Sequence, residues 1–438
     1  MAAGGGTEAP KAARGTESPT DTEHLMEEVC ARENLWKALK QVQGNGGSPG
    51  VDGMTVDALA AHLRTHWPVL KDQLLRGAYQ PQPVKRVEIP KPEGGVRKLG
   101  VPTALDRFIQ QAVMQVLQER WDPTFSESSF GFRPRRSAHQ AVAQVQRYIA
   151  QGLRWVVDID LEKFFDRVNH DLLMSRVAKR VKDKRLLKLI RAFLNAGVME
   201  NGLVGPTDEG TPQGGPLSPL LSNLLLDELD RELERRGHRF ARYADDCNIY
   251  VQSRRAGERV MENVTRFLTK KLKLKVNSEK SAVARPWARK FLGFSFTSGK
   301  VPKRRIAPKA LERFKERVRG LTRRGSRNSL AETIEVLASY LRGWHGYFRF
   351  CQTPSVLEGL DGWIRRRLRC VIWKGWKRGR TRYAKLRRCG IPHRQAAVAA
   401  GSPTGPWRMA HHAVVQEALP DAHFSALGLP PLAPGRAV

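Results

Sequence analysis

The densest chemistry in this sequence lies in the stretch 240–251, where Asp245 and Asp246 sit side by side between runs of aromatic and β-branched residues. Such runs flanking a short polar pair predict two strands with the acids at the turn. Two carboxylates held that close repel, and their joint ionisation is costly unless a cation lies between them. A divalent metal is the simplest such cation. The plain alternative is an ordinary hairpin turn, where Asp is common. This stretch alone is equally compatible with both.

A second acid-bearing stretch raises the metal reading. Arg154-Trp155-Val156-Val157-Asp158-Ile159-Asp160 reads as an apolar strand ending in alternating aspartates, both on one face. An acid at the end of a buried strand is costly unless it is paired or holds a metal. Metal-assisted phosphoryl transfer needs such acids brought together from separate strands.

Further residues would serve a polyanionic substrate. The segment 84–102 reads as a hairpin carrying Lys85, Arg86, Lys91, Arg97 and Lys98. These supply charge and donors to a triphosphate, or form a solvated charged surface. Phe125–Ser137 mixes aromatics with Arg133, Arg135 and Arg136, a combination suited to base stacking and phosphate contact. Gly210–Pro219, which includes Gln213, cannot be a helix or strand interior and presents its backbone closely to a neighbour. The glycine-rich loop 44–53 is either a connector or another such close approach.

Helices that position these stretches are expected over 23–43, from Thr55 to Leu63, over 106–119, after a Ser137 cap to Ile149, over 218–234 and over 256–272. Residues 171–193 read as one long amphipathic helix, and 274–281 as a strand followed by a turn. Phe291–Phe296 reads as an aromatic strand with Gly293 at a bend. Beyond residue 298 arginine is dense and the pattern turns helical: 310–321, a helix to Trp344 after a Ser329/Glu332 capping box, and 361–376. In the last of these, Trp363, Trp373 and Trp376 are expected mainly in the core, with the arginines on phosphates. The Pro- and Ala-rich tail after Gly390 carries one short helix, 411–419.

With 438 residues the chain is too long for one ordinary core, so two or three domains are expected. Lys and Arg number 76 against 43 Asp and Glu, a net charge of +33. That excess favours a polyanion, nucleic acid first and an anionic membrane second. No apolar run approaches the ~20 residues of a spanning helix and no signal core is present, so a soluble, cytoplasmic protein is expected. Five scattered cysteines form no C-x-x-C pair, and neither a P-loop, an H-E-x-x-H nor a G-x-G-x-x-G motif occurs.

Taken in order, these motifs resemble a reverse transcriptase, specifically a bacterial group II intron-encoded reverse transcriptase/maturase, over roughly residues 24–430. Tyr243-Ala244-Asp245-Asp246 is similar to the family's YADD box. Asp160–Asp166 resembles its first palm motif, in which the metal-binding Asp lies five residues before an aromatic. That match selects Asp160 over Asp158 and makes Phe165 the gate against a ribose 2′-OH. Gln213 then corresponds to a nucleotide contact, and Lys91 and Arg97 to triphosphate contacts. Arg133, Tyr243, Lys280, Leu292 and Gly293 correspond to template and primer contacts. Tyr340–Phe348 is similar to the maturase segment, which forms the thumb and binds intron RNA. No Cys follows Gly390, so the chain resembles the short, endonuclease-less members, often of the IIC lineage.

The resemblance implies an α+β fold: right-hand fingers and palm with an antiparallel palm sheet, followed by a helical thumb/maturase domain. It divides the chain into a disordered tail (1–22), an N-terminal extension (23–80), fingers and palm (81–298), thumb/maturase domain (299–390) and C-terminal segment (391–438). It implies two Mg²⁺ ions held by Asp160, Asp245 and Asp246. The implied partners are intron RNA, an RNA template with DNA primer, dNTPs and target DNA, with no membrane. The implied activity is RNA-directed DNA synthesis in retrohoming, with assistance to splicing. A splicing-only maturase and a host-recruited reverse transcriptase in defence or repair are the other readings.

Overall fold

The computed structural model describes residues 22–90, 95–200, 203–205, 214–323 and 329–433. Two compact units divide them. One runs to Ala284 apart from Ile149–Gln151; the other comprises Ile149–Gln151 and everything from Arg285.

The first unit begins with α1 (Leu25–Val29), α2 (Arg32–Asn45) and α3 (Leu59–Leu75), then the hairpin β1 (Val84–Pro90) and β2 (Val96–Val101). α4 (Ala104–Trp121), α5 (Ala138–Ala150), β3 (Trp155–Ile159), α6 (His170–Arg180) and α7 (Lys184–Leu194) follow. It ends with β4 (Val198–Glu200), β5 (Leu203–Gly205), α8 (Ser218–Arg235), β6 (Arg239–Tyr243), β7 (Asp246–Val251), α9 (Arg254–Lys271) and β8 (Ala282–Ala284).

Two four-stranded sheets organise this unit, in the orders β2-β1-β4-β5 and β6-β7-β3-β8. The second is antiparallel throughout, as the resemblance implies for a palm sheet. Its strands alternate. Val157, Ile159, Cys247, Ile249 and Val251 join the main core, where α9 packs so closely that a Cβ on Gly257 would stand 2.5 Å from Val283. The other face carries Asp158 opposite Asn248 and Val156 opposite Tyr250.

Several elements differ from expectation. The helix expected over 23–43 breaks into α1 and α2 at Ala31, and α3 continues past Leu63 with Pro68 inside it. The long helix 171–193 is two, because Asp183 accepts from the backbone N–H of Arg185 and Leu186 and starts α7 afresh. Residues 274–276 give only a bridge, Leu161 to Val276; the edge strand is β8. The short β4–β5 hairpin was not expected, and β4 runs parallel to β1. Thr22, assigned to a disordered tail, is buried, and its carbonyl accepts the Asp183 N–H at 3.0 Å. The rest of that tail, residues 1–21, lies outside the described residues.

The second unit contains the pair β9 (Phe294–Phe296) and β10 (Arg304–Ile306), then α10 (Pro308–Leu321), α11 (Leu330–Phe348) and α12 (Pro354–Gly375). Ser329 and Glu332 form the expected capping box at the head of α11. α13 (Gly379–Arg388), α14 (His393–Gly401), α15 (Pro406–Met409), α16 (Ala413–Ala418) and α17 (Asp421–Ala426) complete it. The tail is thus far more helical than expected. Its Val415, Leu419, Phe424 and Leu432 share a core with Phe314, Leu341, Leu368 and Trp373. Short alanine-rich helices carry a weak periodic signal, and tertiary packing decides them. Trp373 is fully buried, whereas Trp363 is partly buried among Lys315, Arg319 and Arg367.

Candidate active site

The turn between β6 and β7 is built to the shortest hairpin length. Tyr243 pairs with Asp246, leaving Ala244 and Asp245 as the loop. Ala244 has φ 57° while Asp245 is not left-handed, the sign pattern of a type II′ turn. A non-glycine residue there is strained by roughly 1–2 kcal/mol, so its surroundings must hold it.

They do so through a buried arginine. Arg242 is fully buried and paired with the equally buried Asp230 of α8. Its Nε donates to Asp230 at 2.7 Å, one Nη donates to the Ala244 carbonyl and to Asn223 Oδ1, both at 2.9 Å, and the other donates to Ser129 Oγ at 2.8 Å. Burial works against the charge on Arg242, but Asp230 more than offsets it and raises the arginine's pKa. The loop 128–131 closes the same clamp: its Phe130 N–H donates to the Arg242 carbonyl, and Asn223 donates to the Gly131 carbonyl.

Asp160 follows the last residue of β3. Ile159 pairs with Cys247, so continuing the antiparallel register sets Asp160 opposite Asp246. Residues opposite each other in this way share a face. Asp158, one pair further back, accepts from Asn248 Nδ2 at 3.0 Å. Asp160 is instead half-buried, its N–H on Ser281 Oγ and its carboxylate 3.7 Å from Lys280 Nζ. Lys280 is brought there by a turn in which Asn277 Oδ1 accepts the N–H of Glu279 and Lys280.

Among the described residues no three His, Cys, Asp or Glu side chains are gathered tightly enough to form a metal cage by themselves. The donor set nevertheless suits a hard divalent cation, which takes carboxylate oxygens and retains water rather than requiring an all-protein cage. A cation placed between like carboxylates offsets their mutual repulsion.

The remaining candidates divide. Phe165 is half-buried in a 3₁₀ turn, Phe164–Asp166, edge-on to the buried Phe164. Tyr243 is half-buried, 6.5 Å from the Phe132 ring. Leu292 and Gly293 form a tight left-handed turn, φ 51° and 80°, between Phe291 and Phe294. The Leu292 carbonyl accepts from Tyr347 Oη at 2.8 Å. Arg133 departs from its expected role: it is buried, and its guanidinium is engaged by Asp122, the Ser126 carbonyl and the Ser129 carbonyl. A planar fork that satisfies several inward acceptors is a loop brace, not a template contact. Lys91 and Gln213 lie outside the described residues, as does the side chain of Arg97, whose backbone pairs with Ile89.

Both glycine-rich loops approach the protein itself. A Cβ on Gly50 would meet the Thr103 backbone at 2.6 Å, and one on Gly214 the Gly100 carbonyl oxygen at 2.5 Å. Sequence reasoning missed Arg242, Asn223, Asp230 and Gly131. Strand alternation offered a signal, since it puts Arg242 on the face of the buried Phe240, where a charge requires a partner acid.

Residues 89–296 match the reverse transcriptase (RNA-dependent DNA polymerase) family, and 311–390 the group II intron, maturase-specific domain. Protein YkfC of Escherichia coli K12 is 34% identical over 302 residues, 60% of this chain and 79% of that protein. The chain belongs to the group II intron-encoded reverse transcriptases. Another relative, group II intron-encoded protein LtrA of Lactococcus lactis subsp. cremoris, is 44% identical over 156 residues. The match takes in 35% of this reverse transcriptase but only 26% of LtrA. Reverse transcriptases depend on divalent metal, and the two domains together imply binding to nucleic acid templates and intron RNA. No helix among the described residues is long and apolar enough to cross a membrane.

Proposed function

We propose that this enzyme copies RNA into DNA by metal-assisted nucleotidyl transfer, with Asp160, Asp245 and Asp246 holding two Mg²⁺ ions. The observation that carries this reading is the register: the end of β3 and the start of β7 bring Asp160 and Asp246 to one face, with Asp245 in the turn between β6 and β7. Bound there, the metal supplies Lewis-acid stabilisation of the attacking and leaving oxygens. The chain's own residues do the rest. The rigid turn fixes the carboxylates, Phe165 borders the sugar of the incoming nucleotide, and the cations of the β1–β2 hairpin, Lys91 and Arg97 among them, neutralise its triphosphate. Gln213, Tyr243 and Lys280 line the nucleotide and the template–primer, with Leu292 and Gly293 as the primer's support.

The partners proposed are an RNA template with a DNA primer, dNTPs and, through the maturase-specific domain, the intron RNA, whose splicing the protein assists before it is copied into target DNA. The test is Asp245→Ala. Primer extension on an RNA template should disappear while intron RNA binding stays within about twofold. Retained synthesis would refute the site.

A further inference from the structure

We propose that Arg242 is a positioning residue of the catalytic turn: it fixes the Ala244 carbonyl and thereby sets where Asp245 and Asp246 point. This rests on the site assignment above. An arginine needed only to neutralise Asp230 would be satisfied by that pair. This one also donates to Ala244, Asn223 and Ser129, so one planar group joins α8, the 128–131 loop and the turn. Its bond to Ala244 falls on the carbonyl of the strained residue, immediately before the Asp245 amide. A left-handed alanine has a cheaper conformation available, and a rigid donor behind it prevents the turn from taking it.

The decisive variant removes both charges, Arg242→Met with Asp230→Leu. Replacing a buried ion pair by apolar residues of similar volume is often neutral for stability. Here the Ala244, Asn223 and Ser129 acceptors lose their donor, so the melting temperature should fall by a few degrees while template–primer binding stays close to wild type. The turn, released, should lower kcat by roughly 10- to 100-fold, the scale of an ~1 Å misplacement, with KM for dNTP little changed. Mn²⁺ binding to the substrate-free protein, followed by EPR, should weaken in parallel.

Wild-type kcat and Mn²⁺ affinity in a well-folded double variant would overturn the proposal and leave Arg242 a core ion pair. Should the double variant fail to fold, Arg242→Lys decides. Lysine keeps the charge beside Asp230 but lacks the fork that reaches Ala244, so the same loss of kcat is expected, and full activity overturns the idea. Asp245→Ala is run alongside. If it remains active, the site assignment has failed. If it is inactive while the Arg242 variants are fully active, only the positioning role has failed.

Discussion

A Cβ placed on Gly131 would stand 2.3 Å from the backbone nitrogen of Ala244 and 2.9 Å from the carbonyl carbon of Tyr243. Both neighbours are backbone, so neither can swing aside as a side chain would. The phenylalanine–glycine–phenylalanine loop is therefore pressed against the turn that carries the two acids, and only glycine permits that approach.

Gly131→Ala is expected to displace the turn rather than unfold the unit. Overpacking of this kind costs typically about 1–3 kcal/mol, which a large unit tolerates. A shift of ~1 Å at the carboxylates is worth about 100-fold in rate. The measurement is steady-state primer extension at saturating dNTP beside a melting curve. Unchanged kcat would show that the 128–131 loop yields and the turn does not.

Phe164 and Phe165 are adjacent but differ in burial. Phe164 is 2% exposed and sits in the main core; Phe165 is partly buried against the edge of that core, its ring edge-on to Phe164 with centroids 5.1 Å apart. Phe165→Ala should admit ribonucleotides, because the bulk that would clash with a 2′-OH is gone, lowering dNTP-over-NTP discrimination by roughly tenfold or more, the scale on which pocket shape discriminates one small group. Phe164→Ala should instead cost about 3–5 kcal/mol of stability and depress use of both substrates alike. Competition assays with dCTP and CTP on one template separate the two. Unchanged discrimination in Phe165→Ala would remove it as the gate.

The palm sheet was legible because its signals are local. Three apolar runs with acids at their ends predict β3, β6 and β7, and the 160/246 alignment follows once their register is known. The clamp behind the turn was not legible. Arg242 meets Asp230 and Ser129 from elements 12 and 113 residues away in sequence, and no periodicity encodes such meetings. Arg133 misled for a related reason. A loop of arginines and aromatics looks the same whether its guanidiniums face nucleic acid or its own carbonyls. The turn at Leu292–Gly293 was half legible: Gly293 marked a bend, but the Tyr347 hydroxyl that holds it comes from the far end of α11.

Asp183 provides a prediction about stability rather than chemistry. Its carboxylate caps α7, accepts the Met26 N–H at 2.9 Å and pairs with Arg185, which also pairs with Glu27. Burial alone would raise its pKa, but Arg185 and the backbone N–H groups of Met26 and Leu186 outweigh burial and hold it below the usual value. A carboxyl with a depressed folded pKa contributes its full stability above its unfolded value, and that contribution is lost as pH falls through the folded one. Asp183→Asn retains an oxygen for the cap but loses the charge. It should lower the melting temperature at pH 7 by several degrees, corresponding to roughly 1–2 kcal/mol for a charge-assisted pair of this kind. The gap between wild type and variant should stay constant down to about pH 4, the ordinary carboxylate range, and close below it. Melting curves from pH 7 to pH 3 measure this directly. A gap that persists unchanged at pH 3 would mean that Asp183 acts by shape and hydrogen bonding alone, not by its charge.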